Sequence, residues 1–314
     1  LCLTGTPLEN HLGELWSLMD FALPGLLGGR KTFSRMYRNA IENHGDEERQ
    51  QELARKVRPF MLRRTKNEVV KELPPKTESV VHVELGEGQR ALYESVRASM
   101  EQRIRDLIEH QGMAKSHIEF LDALLKLRQT CIDPRLLKLG QAREFGESAK
   151  FDWLAETLPQ LLEEDRNILI FSQFTQVLKL IEDQLNAQGI AFSKLTGQTR
   201  KRQDAIDRFQ SGDVPVFLIS LKAGGAGLNL TAADVVIHMD PWWNPAVETQ
   251  AIDRAHRVGQ TKRVFAYKLI CRNTVEEKIT ELQQQKRELA DAILEENQSV
   301  LKNLSSEDLE LLLS

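Results

Sequence analysis

Two arginines three residues apart, Arg254 and Arg257, sit in the segment Gln250-Ala-Ile-Asp-Arg-Ala-His-Arg-Val-Gly-Gln260. Guanidinium groups presented together can neutralise charge on a phosphoryl group in transfer, because each is planar, forked and permanently charged. The segment follows Trp242-Trp243-Asn244-Pro245. Asparagine suits a helix N-cap and proline the first helical position, so a helix is predicted from Pro245 to about Arg257, with both arginines on one face. An isolated R-x-x-R is more often a solvated basic face. The flanking residues tip the reading here toward phosphate chemistry.

A second segment, Lys222-Ala-Gly-Gly-Ala-Gly-Leu-Asn-Leu230, follows an apolar run ending at Ser220. Gly224, Gly225 and Gly227 allow close backbone approach to a phosphate-bearing ligand. The same turn could serve tight packing or a dinucleotide loop, although it is not G-x-G-x-x-G. No Walker pattern G-x-x-x-x-G-K-[ST] occurs in the chain. Gly28-Gly29-Arg30-Lys31-Thr32 approximates the end of one, but Arg30 stands at the glycine position and no apolar strand feeds it. Asp46-Glu47-Glu48-Arg49 has the composition of a magnesium-binding box, yet it reads as a polar loop with solvated carboxylates.

Basic residues cluster twice. Arg55, Lys56, Arg58, Arg63, Arg64, Lys66, Lys71 and Lys76 stand against Glu68, Glu72 and Glu78, and Lys194, Arg200, Lys201, Arg202 and Arg208 form the second group. Such clusters can bind phosphates with a salt-dependent affinity, or can be solvated faces. The net charge of -4 does not announce a nucleic-acid binder, so a single basic cleft would have to do so. Cys2, Cys131 and Cys271 are far apart with no C-x-x-C pair, which argues against a zinc site or disulfide framework and for a reducing compartment. No apolar run is long enough for a transmembrane helix, no signal peptide is read, and no membrane partner is expected. The chain starts at Leu1 inside an apolar run and reads as a piece of something longer.

The elements that must position these residues follow from periodicity. Leu12, Leu15, Trp16 and Met19 fall at helical spacing, residues 31–41 and 47–57 read as helices, and Leu73-Pro74-Pro75 ends the segment after them. The next element read is a long amphipathic helix from about Glu87, and a further helix runs from about His117 to Thr130. Residues 140–150 read as a linker. From Phe151 helical stripes alternate with short apolar runs at Ile168–Phe171, Phe192–Leu195, Val216–Ser220, Val235–Met239 and Val264–Ile270. That alternation implies an α/β fold with a parallel sheet covered by helices on both faces, and such sheets take ligands at the carboxyl ends of their strands.

In order and spacing, these segments resemble the Swi/Snf family of superfamily-two DNA translocases, especially its bacterial members. Leu3-Thr-Gly-Thr-Pro7 resembles the family's motif III, Phe60-Met-Leu-Arg-Arg-Thr-Lys66 with Leu73-Pro-Pro-Lys76 its interlobe segment, and Leu127-Arg-Gln-Thr-Cys-Ile-Asp-Pro134 its second insertion. Ile168 to Phe174 resembles motif IV, with Leu195-Thr-Gly-Gln-Thr199 and Arg202 to Phe209 as the element after it. Lys222 to Leu230 resembles motif V and Gln250 to Gln260 motif VI.

The resemblance implies a RecA-like second motor lobe at 148–280, preceded by the end of a first lobe at 1–24 and helical insertions with the interlobe segment at 25–147, and followed by a helical tail at 281–314. It implies ATP and Mg2+ as cofactors, with most ligands in a first lobe upstream, so that the 314 residues alone would be inactive. Arg254 and Arg257 would be arginine fingers supported by Gln250, and Gly225 and Gly227 would form a hinge between nucleotide and DNA sites. Thr4, Gly5 and Thr6 would couple the lobes, and Gln173, Lys222, Trp243 and Arg202 would face DNA. A tryptophan at 243 could equally anchor its helix in the core. The implied partners are double-stranded DNA, the first lobe and a DNA-bound protein complex, in the bacterial cytoplasm or, in a eukaryote, the nucleus. A strand-separating helicase and a non-catalytic docking module are the competing readings.

Overall fold

The computed structural model describes residues 2, 12–62, 70, 72–111, 113–137, 146–224, 227–281, 283 and 284. They fall into two compact units. One comprises the described part of Leu1–Lys71, Trp243–Ala246 and Ile279–Leu311; the other holds Glu72–Trp242 and Val247–Lys278.

The first unit is helical. Helices α1 (Leu12–Ala22), α2 (Arg30–Phe33), α3 (Asn39–His44) and α4 (Glu47–Val57) pack Leu12, Leu15, Met19, Phe33, Tyr37, Ile41, Leu53 and Val57 into one core. A π-helical segment, Ser34–Arg38, joins α2 to α3, so one helical stretch runs further than the predicted 31–41. The acidic segment is no loop. Asp46 caps α4, its Oδ1 accepting from the Arg49 amide at 3.0 Å, and Glu47 and Glu48 occupy the first turn, where carboxylates complement the helix dipole.

The second unit is built on six parallel strands. They are β1 (Lys76–Val83), β2 (Ile168–Ser172), β3 (Phe192–Leu195), β4 (Val216–Ser220), β5 (Val235–His238) and β6 (Val264–Cys271), in the order β1-β6-β5-β2-β4-β3. Strands β2, β4 and β5 are buried along their whole length, as a sheet covered on both faces requires. Ile168, Ile170, Val216, Leu218, Val235 and Ile237 face one core with Leu154 and Leu158 of α7 (Ala149–Glu163) and Leu178 and Ile181 of α8 (Thr175–Ala187). Leu169, Phe171, Phe217, Ile219 and Val236 face the other with Phe209 of α9 (Arg202–Gln210) and Ala251, Ile252 and Ala255 of α11 (Pro245–Ala255). Each fully buried aliphatic side chain is worth about 1.5–3 kcal/mol. This is the expected α/β sheet with helices on both faces. Among the described residues no helix is long and apolar enough to cross a membrane.

Strand β1 has no counterpart in the local sequence pattern. It pairs along eight residues with β6, from Lys76↔Val264 to Val83↔Cys271. Its partner lies almost 190 residues away, and most of its side chains are half-buried or exposed, so no apolar run announces it. The predicted long helices are α5 (Glu87–Gln111) and α6 (Met113–Ile132). Buried Gln89 clamps them to the sheet layer: its Nε2 donates to the Thr130 and Cys131 carbonyls, and its Oε1 accepts from the Ala149 amide that opens α7.

Lys150 joins these parts. It is 0% exposed, and its ammonium donates to the carbonyls of Met239 at 2.8 Å and Leu269 at 3.0 Å, and to Glu276 at 2.7–2.8 Å. Burial works against its charge, but Glu276, with Cys271 and Cys131 assisting, outweighs it and the pKa is raised. Lys150→Met should destabilise the protein by about 3–5 kcal/mol, because Glu276 is left as a buried unpaired charge, whereas Lys150→Met combined with Glu276→Leu should recover much of the loss. Chemical denaturation of the three variants checks this, and a double variant no better than the single one would contradict it.

Candidate functional site

The carboxyl ends of β2, β4 and β5 carry a polar group of residues. At the end of β2, the Ser172 hydroxyl donates to Asp240 Oδ1 at 2.5 Å, and the Gln173 amide donates to both Asp240 oxygens at 3.3 Å. Asp240 follows β5, is 0% exposed, and stands 3.8 Å from buried Arg128 of α6. Burial raises the Asp240 carboxyl and the Arg128 guanidinium opposes that; burial likewise lowers Arg128 against the pull of Asp240. Beyond β4, the short helix α10 (Leu221–Gly224) carries Lys222, whose side chain is exposed. Arg202, at the start of α9, donates from Nη2 to the Ala223 carbonyl at 3.0 Å, so part of its fork braces the glycine-rich turn. Gln173, Lys222 and Arg202 thus belong to one end of the sheet. Trp243 is half-buried on the segment leading into α11 and belongs to the first unit.

Arg254 lies toward the other end. Helix α11 leaves the carboxyl end of β5 and returns to the amino end of β6, so its last turn sits near the starts of the strands. Asn244 caps it, Oδ1 accepting from the Ala246 amide at 2.9 Å. The helix stops at Ala255, short of the predicted Arg257, so the two arginines do not share one helical face. The Ala255 carbonyl is taken instead by the Arg257 amide and by Gln260 Nε2, and Gly259 turns the chain at φ +100°. Arg257 is exposed beyond the helix, Arg254 half-buried within it, and Gln250 half-buried one turn earlier. Burial, then the neighbouring Arg257 charge, lowers the Arg254 pKa against the pull of Asp253.

The glycine-rich segment connects the two ends. It starts after β4, passes through Gly227 at φ +57°, and reaches Leu230, whose amide donates to the Arg254 carbonyl at 3.0 Å. Gln260 locks the junction: Nε2 donates to the carbonyls of Thr231, Ala233 and Ala255, while Oε1 accepts from the amides of Thr261 and Lys262. His256 Nε2 lies 2.7 Å from the Pro74 carbonyl, tying the arginine segment to the chain entering β1. Thr4, Gly5, Thr6 and Gly225 lie outside the described residues, as do Arg63, Arg64, Lys66 and Lys71. Asp240 and its bond to Arg128 were not singled out from sequence; the available signal was a carboxylate placed directly after an apolar strand run.

These residues do not form a Mg2+ site. Among the described residues, the His, Cys, Asp and Glu side chains close enough to share an ion are Cys131, Cys271 and Glu276. Two sulfurs do not suit a hard cation, and Glu276 already neutralises Lys150.

Residues 1–136 match the SNF2-related domain and residues 149–259 the helicase conserved C-terminal domain. An uncharacterized ATP-dependent helicase of Mycoplasma genitalium is 41% identical over 98% of this chain and 29% of its own length. The putative ATP-dependent helicase/translocase YwqA of Bacillus subtilis is 37% identical over 99% of this chain and 34% of its own. The chain therefore spans about a third of the length of these relatives. Among solved structures, the Sulfolobus solfataricus SWI2/SNF2 ATPase C-terminal domain is 33% identical with a TM-score of 0.59, covering 76% of this chain and 97% of that one. The SWI2/SNF2 ATPase core of the same organism in complex with dsDNA is 36% identical with a TM-score of 0.62, covering 99% of this chain and 65% of that one.

His238, the last residue of β5, sets the acid sensitivity of this end of the sheet. It is 2% exposed, its ring stacks on Phe171 at 5.5 Å, and neither ring nitrogen has a hydrogen-bond partner among the described residues. Burial pushes its pKa down to about 4, with Glu248 and Glu78 opposing and Lys268 assisting. The unfolded chain takes up this proton near pH 6.5 and the folded one only near 4, so stability falls as pH drops through that window. His238→Phe keeps the stack and removes the titration. Wild type should lose up to about 3 kcal/mol more than the variant between pH 6.5 and 4, read from denaturant midpoints. Parallel pH profiles would refute this.

Proposed function

The chain belongs to the SWI2/SNF2 family of ATP-dependent helicase-like proteins, and on that premise we propose that it forms the second motor lobe of an ATP-driven translocase on double-stranded DNA. The observation that carries this reading is the continuous path from Lys222 to Arg254. The glycine-rich segment leaves the end of the sheet that bears Gln173 and Lys222, and its far end is bonded to the backbone of Arg254. Phosphates gripped at one end and a nucleotide sensed at the other are thereby linked through one stretch of backbone.

In this mechanism Arg254 and Arg257 are the arginine fingers, reaching the γ-phosphate of an ATP held on a first lobe and offsetting charge as it develops. The half-buried setting of Arg254 favours the role, since a guanidinium partly removed from water interacts more strongly with phosphate. Gln250 supports the fingers from the preceding turn of α11. Thr4, Gly5 and Thr6 couple the lobes, and Gly225 with Gly227 provides the hinge. Gln173, Lys222 and Trp243 contact DNA, with Arg202 holding the turn beneath Lys222 through Ala223. The P-loop and the Mg2+ ligands are assigned to the first lobe, and the protein to the bacterial cytoplasm, or to the nucleus in a eukaryote.

Arg254→Ala or Arg257→Ala in the full-length protein should lower kcat by roughly 10³-fold or more, and Arg→Lys should not rescue it, because a point charge lacks the planar fork. The 314-residue chain alone, with no Walker pattern, should hydrolyse no ATP above background. Near-normal turnover in both alanine variants would remove the finger assignment, and turnover by the isolated chain that depends on Arg254 would remove the division of labour between lobes.

Lys222→Ala should lower the slope of log affinity against log salt for duplex DNA by about one phosphate contact, with weakening that is uniform across sequences. An unchanged slope takes Lys222 out of the interface.

A further inference from the structure

Arg254 and Arg257 are held by different means. Arg254 lies in the last turn of α11, and its carbonyl accepts from the Leu230 amide. Arg257 stands beyond the helix end, where helical bonding has stopped. Its amide turns back to the Ala255 carbonyl at 3.1 Å, its carbonyl accepts from the Gln260 amide at 2.9 Å, and Gly259 reverses the chain at φ +100°. The Arg257 side chain is exposed. A guanidinium carried on so short a turn meets a phosphate at a fixed place only if the turn itself is anchored.

His256 supplies an anchor from the position directly before Arg257. It is 5% exposed, its amide donates to the Ile252 carbonyl at 2.9 Å, and its Nε2 lies 2.7 Å from the Pro74 carbonyl. A carbonyl only accepts, so Nε2 carries the proton and donates. The acceptor is stiff. Pro74 precedes Pro75, both rings fix φ, and the second holds Pro74 extended. The Pro75 carbonyl accepts from the Val264 amide at 3.3 Å, which joins this stiff stretch to β6 where its pairing with β1 begins. Pro74 and His256 belong to the same unit. An imidazole has few rotatable bonds, so a bond from its far nitrogen holds the backbone of His256 with little slack. A leucine would fill the same space without gripping the carbonyl.

We propose that His256 is a positioning residue for ATP hydrolysis: through the Pro74 carbonyl it anchors the turn that carries Arg257, and so fixes where that guanidinium meets the transferring phosphate. The assignment rests on the reading of Arg257 as an arginine finger. Loss of the anchor should slow the chemical step while ATP and DNA bind as before, because the nucleotide is assigned to the first lobe and DNA to the opposite end of the sheet.

The test uses the full-length protein and reads the DNA-saturated kcat, the KM for ATP, the half-saturating DNA concentration and the melting temperature. His256→Leu and His256→Asn should lower kcat by about 10- to 100-fold, the range that misplacing a reacting group by up to 1 Å produces, with KM and DNA dependence little changed. His256→Gln should recover most of the turnover, because a glutamine amide nitrogen reaches the place of Nε2 whereas that of asparagine stops near Nδ1. Adding His256→Leu to Arg257→Ala should cause no further loss, since groups that act as a unit are not additive. If His256→Leu fails to fold, the comparison of the Gln and Asn variants carries the test. Equal turnover in those two variants overturns the proposal, as does a further multiplicative loss on Arg257→Ala. A lowered melting temperature with unchanged kcat in the folded fraction makes His256 structural only and overturns it too. If Arg257→Ala abolishes turnover while the His256 variants run normally, the anchor is wrong and the finger stands. Near-normal turnover in Arg257→Ala removes the finger, and the anchor with it.

Discussion

The Lys150 ammonium is the contact on which the larger unit depends. A lysine with no solvent exposure must spend every donor on the protein, and this one bonds the carboxyl end of β5, the carboxyl end of β6 and the Glu276 carboxylate that follows them. Its backbone opens α7, so one side chain fixes where the first covering helix meets the sheet. The same carboxylate accepts from the Cys271 amide at 3.1 Å, and neighbouring Val275 donates its amide to the Tyr93 hydroxyl of α5. Helix α5, the sheet and the turn after β6 therefore share one buried polar junction. Networks of this kind stabilise only when every member is satisfied, which makes the junction intolerant of partial change.

The sheet was legible from sequence where burial made strands into uninterrupted apolar runs. Ile168–Ser172, Val216–Ser220 and Val235–His238 announce themselves because both faces of the sheet are covered. Strand β1 did not, since its identity rests on pairing with a distant partner while its own side chains stay mixed. Asp46 and α11 show a second limit. Local patterns predicted both helices but read Asp46–Arg49 as a loop and carried the arginine helix on to Arg257; the ends were set by side chains within a few residues, Asp46 accepting from the Arg49 amide and Gln260 taking the Ala255 carbonyl. The arginine pair and the glycine-rich turn could be chosen from residue type and spacing, and Gln173 only from the resemblance of its segment to a family motif. Arg128, Asp240 and His238 could not, because a buried polar residue looks in sequence like any solvated one.

The candidate residues are separated between the two ends of the sheet. A parallel α/β layer normally offers ligands one end, the carboxyl ends of its strands. Here α11 carries Arg254 toward the opposite end, where the Leu230 amide donates to the Arg254 carbonyl. Gln260 then fastens this junction with five hydrogen bonds from a single amide.

The attachment of β1 has a mechanical meaning. Chain arriving from before Pro74 enters the sheet through eight residues laid parallel to β6, and the Pro75 carbonyl already accepts from the Val264 amide. Tension drawn along that chain pulls β1 lengthwise past its neighbour, so the ladder is loaded in shear and its bonds must yield nearly together. A hairpin loaded from its open end would instead unzip one bond at a time at far lower force. The same chain is touched by His256 at Pro74, so strain carried through this grip is felt within two residues of Arg254.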